Sequence, residues 1–253
     1  MQILLTNDDG YYARGLQTLY RTLLKQKNWD LSIVAPEGQR SATGHAITLF
    51  NPILVREHSL ENKKNGFSIY GTPSDCVKLA IQGEIVPRPD LIISGINSGA
   101  NIGTDVFYSG TVSAALEGVF LGIPSIAVSL AGYKKGSDFE PAAEFMVTIL
   151  PKIIEQPYQG LININVPAEP ERNWLGVRVT KLGKTVYKDV FESRVDPRGR
   201  KYFWQAGTIT ADQEEGSDLS AIQQGYVSMT PLHCDLTDYQ KIENIKDLEK
   251  NYP

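Results

Sequence analysis

Two adjacent carboxylates, Asp8 and Asp9, directly follow an apolar run near the start of the chain. Residues 3–5 of that run are typical of a buried strand, which places both carboxylates at its carboxyl end. Ligands bind at that edge in open α/β sheets, and two like charges packed together need a partner, so a divalent cation is a natural explanation. In the alternative interpretation, Asp8 caps the next helix and Asp9 faces water. The two residues by themselves leave both interpretations open.

A second candidate site lies in the glycine-rich stretch of residues 94–113. Three of its residues, Ser109, Gly110 and Thr111, stand just ahead of apolar residues at helical spacing. They offer hydroxyls and backbone N–H groups at a helix N-terminus, where the helix dipole favours an anion. Glycine also lets the backbone approach a ligand closely. The stretch therefore predicts a phosphate-binding site.

A polar loop, residues 36–45, follows the second strand-like run and is expected at the same edge of the sheet. Ser41 is a candidate oxygen ligand, and Arg40 or His45 could face a phosphate. Loop serines and arginines more often serve only the turn itself. The residue types therefore leave both interpretations open for this loop.

The elements that position these residues alternate between strands and helices from residue 1 to about residue 166. Near-continuous apolar strands in such a series predict an α/β fold, a Rossmann-like and mainly parallel sheet with helices on both faces. We expect an extended excursion between residues 47 and 71, with a hairpin and an exposed tip. The central strand is predicted over residues 89–93. The glycines at 95, 99 and 103 lack the spacing of a dinucleotide-binding motif.

The pattern changes after Trp174, where aromatic and β-branched residues alternate with polar ones in the manner of antiparallel strands. We expect one domain over residues 1–253, with a catalytic core (1–177), a β-rich oligomerisation arm (178–235) and a closing helix (236–253). The arm is too short for an independent core of the usual size. Its basic stretch, 178–201, and acidic stretch, 212–218, offer complementary charge for a symmetric pairing. A hairpin folded back on its own sheet is the alternative.

Composition narrows the classes of partner. The formal charge of −4 provides no general attraction for a nucleic acid polymer, and no apolar run approaches the ~20 residues that span a bilayer. The chain opens as a strand and not as a signal sequence. Its two cysteines, Cys76 and Cys234, do not suggest a disulfide framework. We expect a cytoplasmic protein that binds a small ligand and no membrane.

Five segments together resemble the SurE family of survival phosphatases, also called 5'/3'-nucleotidases. They are residues 3–10, Arg40 with Ser41, residues 71–77, the block 94–115 and residues 225–232. The resemblance implies one divalent cation per subunit, Mg²⁺ or Mn²⁺, bound by the ligands Asp8, Asp9, Ser41 and Asn97. It also implies that Ser109, Gly110 and Thr111 hold the phosphate and that Asp8, Asp9 and Asn97 are the catalytic residues.

The resemblance further implies a metal-dependent phosphomonoesterase that converts nucleoside 5'-monophosphates, with 3'-monophosphates as an option, to nucleoside and phosphate. Members are generally homodimers or homotetramers that exchange C-terminal segments. Two alternatives remain. One is a haloacid-dehalogenase-like phosphatase with Asp8 as covalent nucleophile, although that mechanism needs a second aspartate where this chain has Gly10. The other is a sensor that binds a phosphorylated metabolite without turnover.

Overall fold

A nine-stranded sheet organises the described part of the chain. The structure is a computed structural model that describes residues 1–61, 64–132, 136, 138–156, 159–168, 174–188, 191–205, 208–211 and 214–251. The strands are β1 (Gln2–Thr6), β2 (Asp30–Pro36), β3 (Val55–Ser59), β4 (Asn65–Ile69), β5 (Leu91–Ser98), β6 (Ser125–Ala131), β7 (Leu161–Pro167), β8 (Gly176–Val179), β9 (Thr185–Lys188), β10 (Phe191–Val195), β11 (Lys201–Gln205), β12 (Thr208–Ala211) and β13 (Tyr226–Leu232).

The order of strands in the large sheet is β3-β4-β2-β1-β5-β6-β7-β13-β8. All neighbours from β4 to β7 pair in parallel, whereas β3 and β13 run antiparallel to β4 and β7. This confirms the predicted mainly parallel sheet. Because the central strands are parallel, the carboxyl ends of β1 and β5 lie side by side and bring distant loops to one edge.

Helices cover both faces of the sheet. The helices of the described residues are α1 (Arg14–Leu24), α2 (Pro73–Gln82), α3 (Gly110–Phe120), α4 (Glu140–Ile154), α5 (Asp218–Gln223) and α6 (Tyr239–Ile245), with 3₁₀ helices at Gly103–Phe107 and Lys246–Asn251. Of these, α6 buries no residue. Alternation along β1 shows the two faces: Ile3 and Leu5 pack with α1 and α4, whereas Leu4 packs with α2 and α3. No helix of the described residues is long and apolar enough to cross a bilayer.

Two boundaries differ from the sequence-based prediction. The central strand, β5, continues past residue 93 to Ser98. Its register against β6 shifts after Ser94, and the pairing resumes at Asn97. The first strand of the hairpin excursion is β3, which begins at Val55, later than the predicted residue 53. The glycine-rich stretch therefore begins inside the sheet and also contains a 3₁₀ helix, so the sheet itself positions its first residues.

The predicted arm, residues 178–235, divides into two parts. Its ends belong to the large sheet, since β8 and β13 pair with each other there. Its middle forms two separate antiparallel pairs, β9 with β12 and β10 with β11. We call the β10–β11 pair, with its turn, the distal hairpin (residues 191–205). The segment that leaves the sheet therefore lies within residues 185–211.

The start of α1 lies against β5 with no room for a side chain. A Cβ atom added to Gly15 would lie 1.9 Å from the carbonyl oxygen of Ile96, and backbone cannot move aside as a flexible side chain would. This contact sets the distance between α1 and the strand that carries Asn97. A glycine at position 15 is therefore a requirement of the packing.

We expect Gly15→Ala to lower the free energy of unfolding by about 1–3 kcal/mol, the usual cost of overpacking. Urea denaturation measures the difference. Gly38→Ala is the matched control, because a Cβ at Gly38 would meet no atom within 4 Å. Equal stability of the two variants would contradict the tight contact.

Candidate active site

Asp8 and Asp9 follow β1 and sit at the carboxyl edge of the sheet. Asp8 is only 4% exposed, and its carbonyl oxygen accepts the backbone N–H of Arg40 at 2.7 Å. The Asp9 carboxylate accepts the backbone N–H of Ser98 at 3.1 Å, which ties it to the end of β5. The helix-capping alternative for Asp8 is wrong, because the N-cap of α1 is Ala13 and no side chain caps that helix. Both carboxylates are therefore held inside the edge.

The N-terminus of α3 meets Asp8 directly. The Thr111 hydroxyl donates a hydrogen bond to the Asp8 carboxylate. Gly110 permits this approach, since a Cβ there would lie 2.8 Å from the Asp8 Cβ. Ser109 is the N-cap of α3, and its hydroxyl accepts the N–H of Val112 at 3.0 Å. The predicted anion site and the paired carboxylates are thus one continuous constellation, in which the Thr111 hydroxyl contacts Asp8.

The two carboxylates carry a charge that the protein does not neutralise. Burial raises the pKa of Asp8 to about 6, the Thr111 hydrogen bond opposes that rise, and the neighbouring Asp9 charge adds to it. Burial also raises the pKa of Asp9. In the described part of the chain no cationic side chain contributes to the pKa of either aspartate. Because a buried anion without a counter-charge is unfavourable, a bound cation would stabilise the site.

A cavity of about 530 Å³ opens over this edge. Four of the predicted site residues line it: Asp8, Ser41, Asn97 and Ser109. The other three predicted residues lie next to the cavity but are not part of its wall. Asp9 contacts the end of β5, and both Gly110 and Thr111 contact Asp8. The sheet edge therefore brings together residues from four separate parts of the sequence.

The polar atoms of the cavity suit a hard cation. The Asn97 amide nitrogen donates to the Gly99 carbonyl at 2.9 Å, so its oxygen is the atom left for a ligand. The Ser41 hydroxyl accepts a hydrogen bond from Gln39 at 2.9 Å. The described residues include no group of three or more histidine, cysteine, aspartate or glutamate side chains placed for a metal. Two carboxylates with neutral oxygens fit Mg²⁺ or Mn²⁺, which retain bound waters, better than zinc.

His45 does not face the anion site. Its Nε2 pairs with Glu117 at 2.7 Å, and its ring stacks on Phe120 at a centroid distance of 5.3 Å. Lys78 also contacts Glu117, at 3.2 Å, so this acid links α2, α3 and the loop. Arg40 reaches the site through its backbone N–H group. His45 and the backbone of Arg40 therefore hold the loop in place.

Sequence reasoning missed a buried amide network behind the cavity. The Asn101 side-chain amide donates to Ser129 at 2.8 Å, and the backbone carbonyl of Asn101 accepts the side-chain amides of Asn163 and Asn165 at 2.8 and 3.0 Å. Two asparagines on the inner positions of β7 are the signal that could have revealed it, because buried amides need partners. The network fixes the loop that follows β5.

A second omission lies far along the chain. Gln205, the last residue of β11, lines the same cavity as Asp8 and Ser109. Tyr108, which immediately precedes the helix N-cap, lines it as well. Periodicity alone gives no signal for Gln205, because its place at the cavity depends on where the distal hairpin lies. The part of the cavity wall that Gln205 supplies is therefore a product of tertiary structure.

Fold and site together define an α/β protein whose sheet edge carries a candidate cation- and phosphate-binding constellation. A family model described as survival protein SurE matches residues 3–189. The 5'-nucleotidase SurE of Desulfitobacterium hafniense (strain DSM 10664 / DCB-2) is 60% identical over 246 residues, which are 97% of this chain and 96% of that protein. This chain belongs to the SurE family.

Two further comparisons agree with that membership. The 5'-nucleotidase SurE of Heliobacterium modesticaldum is 46% identical over 98% of this chain and 91% of its own length. A crystal structure of the SurE protein from Aquifex aeolicus superposes with a TM-score of 0.83 at 38% identity, covering 98% of this chain and 100% of that one. The similarity therefore extends through the C-terminal segments beyond the residues that the family model matches.

The buried charge of Asp8 yields a prediction for the metal-free protein. Asp8→Asn removes the charge and keeps an oxygen for the Thr111 hydroxyl, so in a chelator at pH 8 we expect the free energy of unfolding to rise by about 3 kcal/mol. The folded-state pKa, about 6, lies above the ordinary 3.8. Protonation therefore stabilises wild-type protein as the pH falls from 6 to 4, and the advantage of the variant disappears there.

Urea denaturation between pH 4 and pH 8 measures this dependence. Glu155→Gln, which neutralises an exposed carboxylate at the end of α4, serves as the control and should show no such trend. An Asp8→Asn variant that is less stable than wild type at pH 8 would show that the carboxylate is compensated within the chain.

Proposed function

We propose that this chain is a metal-dependent phosphomonoesterase that hydrolyses nucleoside 5'-monophosphates to nucleoside and phosphate. The relatives named 5'-nucleotidase SurE support the substrate class. The observation that carries the proposal is the contact of the buried Asp8 carboxylate with the Thr111 hydroxyl at the N-terminus of α3, beside a cavity that Asp8 and Ser109 line. A cation would be held by Asp8, Asp9, Ser41 and Asn97, and the phosphate would lie at Ser109, Gly110 and Thr111.

The chemistry follows from these positions. A bound Mg²⁺ or Mn²⁺ would lower the pKa of a water molecule and polarise the phosphoryl oxygen. The oxygen of the attacking water bonds to phosphorus as the bond between phosphorus and the nucleoside oxygen breaks. The nucleoside oxygen leaves with a proton. Either Asp8 or Asp9 orients the water, accepts its proton and passes a proton to the departing nucleoside oxygen. Ser109 and the N-terminal turn of α3 stabilise the charge on the equatorial oxygens.

The alternatives receive less support. A haloacid-dehalogenase-like mechanism would require an acid at position 10, where Gly10 has a φ of 107° and its built Cβ would lie 3.1 Å from Gly38. Membership of the SurE family also argues against it. A sensor without turnover would bind the same ligands and release no phosphate. Phosphate release therefore separates the enzyme from the sensor.

We expect the purified chain to release phosphate from adenosine 5'-monophosphate in Mn²⁺ or Mg²⁺, and Asp8→Asn to reduce the rate more than about 100-fold. Colorimetric phosphate measurement gives the rates, and Glu155→Gln is the control. Mn²⁺ at 100 times its Kd should stabilise wild type by about 2.7 kcal/mol and the variant by much less. Near wild-type turnover of Asp8→Asn at saturating Mn²⁺ would refute the ligand assignment.

We also propose that residues 178–235 contribute to a homodimer or homotetramer in which C-terminal segments are exchanged. The distal hairpin exposes Phe191, Phe203 and Trp204. The closing helical segment likewise exposes its large apolar residues, which are Leu236, Tyr239, Ile242, Ile245 and Leu248. Exposed apolar surface of this kind is typical of an interface. Charge is a weaker argument, because Lys181 of the basic stretch already pairs with Glu214 of the acidic stretch within one chain.

Replacing residues 184–204 by a short linker should lower the assembly state, because it removes the exposed aromatic residues of the distal hairpin. Sedimentation velocity of the intact and shortened proteins measures the masses. A monomeric intact protein, or a shortened protein with unchanged assembly, would exclude the proposed arm. A variant with Ser193→Ala, which preserves the hairpin, is the control.

The cellular setting is part of the same proposal. We place the protein in the cytoplasm, where Cys76, which is buried, and Cys234, which is exposed, remain free thiols. A net charge of −4 disfavours a nucleic acid polymer as substrate, so a mononucleotide is the expected ligand.

A further inference from the structure

We propose that Tyr108 and Gln205 form the nucleobase-binding end of the cavity, with the base stacked on the Tyr108 ring and its polar edge hydrogen-bonded by the Gln205 amide. The inference rests on the proposed function and extends it from the phosphate to the base. It assigns to the distal hairpin a role in substrate selection. Three observations carry it: the size of the cavity, the surroundings of Tyr108 and the position of Gln205.

The cavity is larger than a phosphate requires. Its volume of about 530 Å³ falls within the ~300–1,000 Å³ typical of sites for whole small molecules. Asp8 and Ser109 mark the proposed phosphate end. A nucleoside esterified to that phosphate must occupy the remaining space, whose walls include Tyr108 and Gln205.

Tyr108 is held by its backbone while its ring stays open. Its N–H donates to the Asp105 carbonyl at 3.0 Å, and its carbonyl accepts the Gly44 N–H at 3.1 Å. The residue is nevertheless 67% exposed, and its hydroxyl has no partner in the described part of the chain. An exposed aromatic ring on an anchored backbone, next to Ser109, suits base stacking, a contact that every base can make.

Gln205 presents an uncharged amide to the same cavity. It pairs through the backbone with Phe191 in the distal hairpin, and its side chain has no hydrogen-bond partner among the residues described. An amide offers one acceptor and two donors, which match the mixed edge of a base. A phosphate would instead call for donors alone. The chemistry of position 205 therefore points to the base.

The test compares adenosine 5'-monophosphate with ribose 5-phosphate, which has the same phosphorylated sugar and a hydroxyl group in place of the base. We expect Gln205→Ala to lower the ratio of their kcat/KM values roughly two- to tenfold, mainly through KM for the nucleotide. Tyr108→Ala should lower the ratio by about tenfold or more, whereas Tyr108→Phe retains the ring and most of the ratio. Ser193→Ala, elsewhere on the distal hairpin, should leave the ratio unchanged.

Circular dichroism and sedimentation velocity establish that each variant is folded and assembled like wild type. Should Gln205→Ala disturb the hairpin, Gln205→Glu keeps the length of the side chain and removes both donors, so it should lower the ratio as well. An unchanged ratio in folded Gln205→Ala and Tyr108→Ala would overturn the base site. If wild type releases phosphate from neither substrate, the proposed function fails first.

Discussion

The contact between Asp8 and the N-terminus of α3 is the constraint on which the rest of the site depends. A buried carboxylate beside a second carboxylate is unfavourable, and the Thr111 hydroxyl and the helix N-terminus only partly compensate for it. Gly110 is required because any side chain there would displace Asp8. Positive charge from a bound ion would therefore stabilise the edge, so its electrostatic cost in the free protein and the affinity for a cation that we propose would share one cause.

The loops around that contact are held by hydrogen bonds more than by apolar packing. Asp75, within the capping box of α2, also accepts the N–H of Thr48 at 2.9 Å, while the Thr72 hydroxyl donates to the Ala46 carbonyl at 2.7 Å. The pair of His45 and Glu117 attaches the same loop to α3. Such anchors limit the positions available to Ser41 without filling the cavity, which suits a site that must stay open to a polar ligand.

The distal hairpin carries both a candidate subunit interface and a residue of the cavity wall. It exposes aromatic residues that suit a subunit interface, and its last residue lines the cavity. If both proposals hold, assembly would steady the wall against which the base lies, because the hairpin pairs with itself and not with the large sheet. Substrate selection would then depend on the quaternary state, whereas the carboxylate edge is built within the core of one chain.

Local pattern determined much of this protein. Apolar strands in alternation with helices required a mainly parallel sheet, and that sheet placed Asp8 and Asp9 at the edge where ligands bind. The Ser109-Gly110-Thr111 run predicted the start of α3, which the structure confirms, and an anion site there, which stays a prediction. These features depend on residues close together in sequence, where periodicity and capping chemistry act, and the five motif segments added the family.

Only the tertiary structure decided which of these groups meet. It turned the Thr111 hydroxyl toward Asp8, directed His45 to Glu117, extended β5 through Asn97 and brought Gln205 to the cavity. Each of these outcomes depends on a contact between segments far apart in the chain, whose geometry follows from strand register and helix packing. His45, whose loop adjoins the site, thus pairs with Glu117, whereas Gln205, which is remote in sequence, lines the cavity.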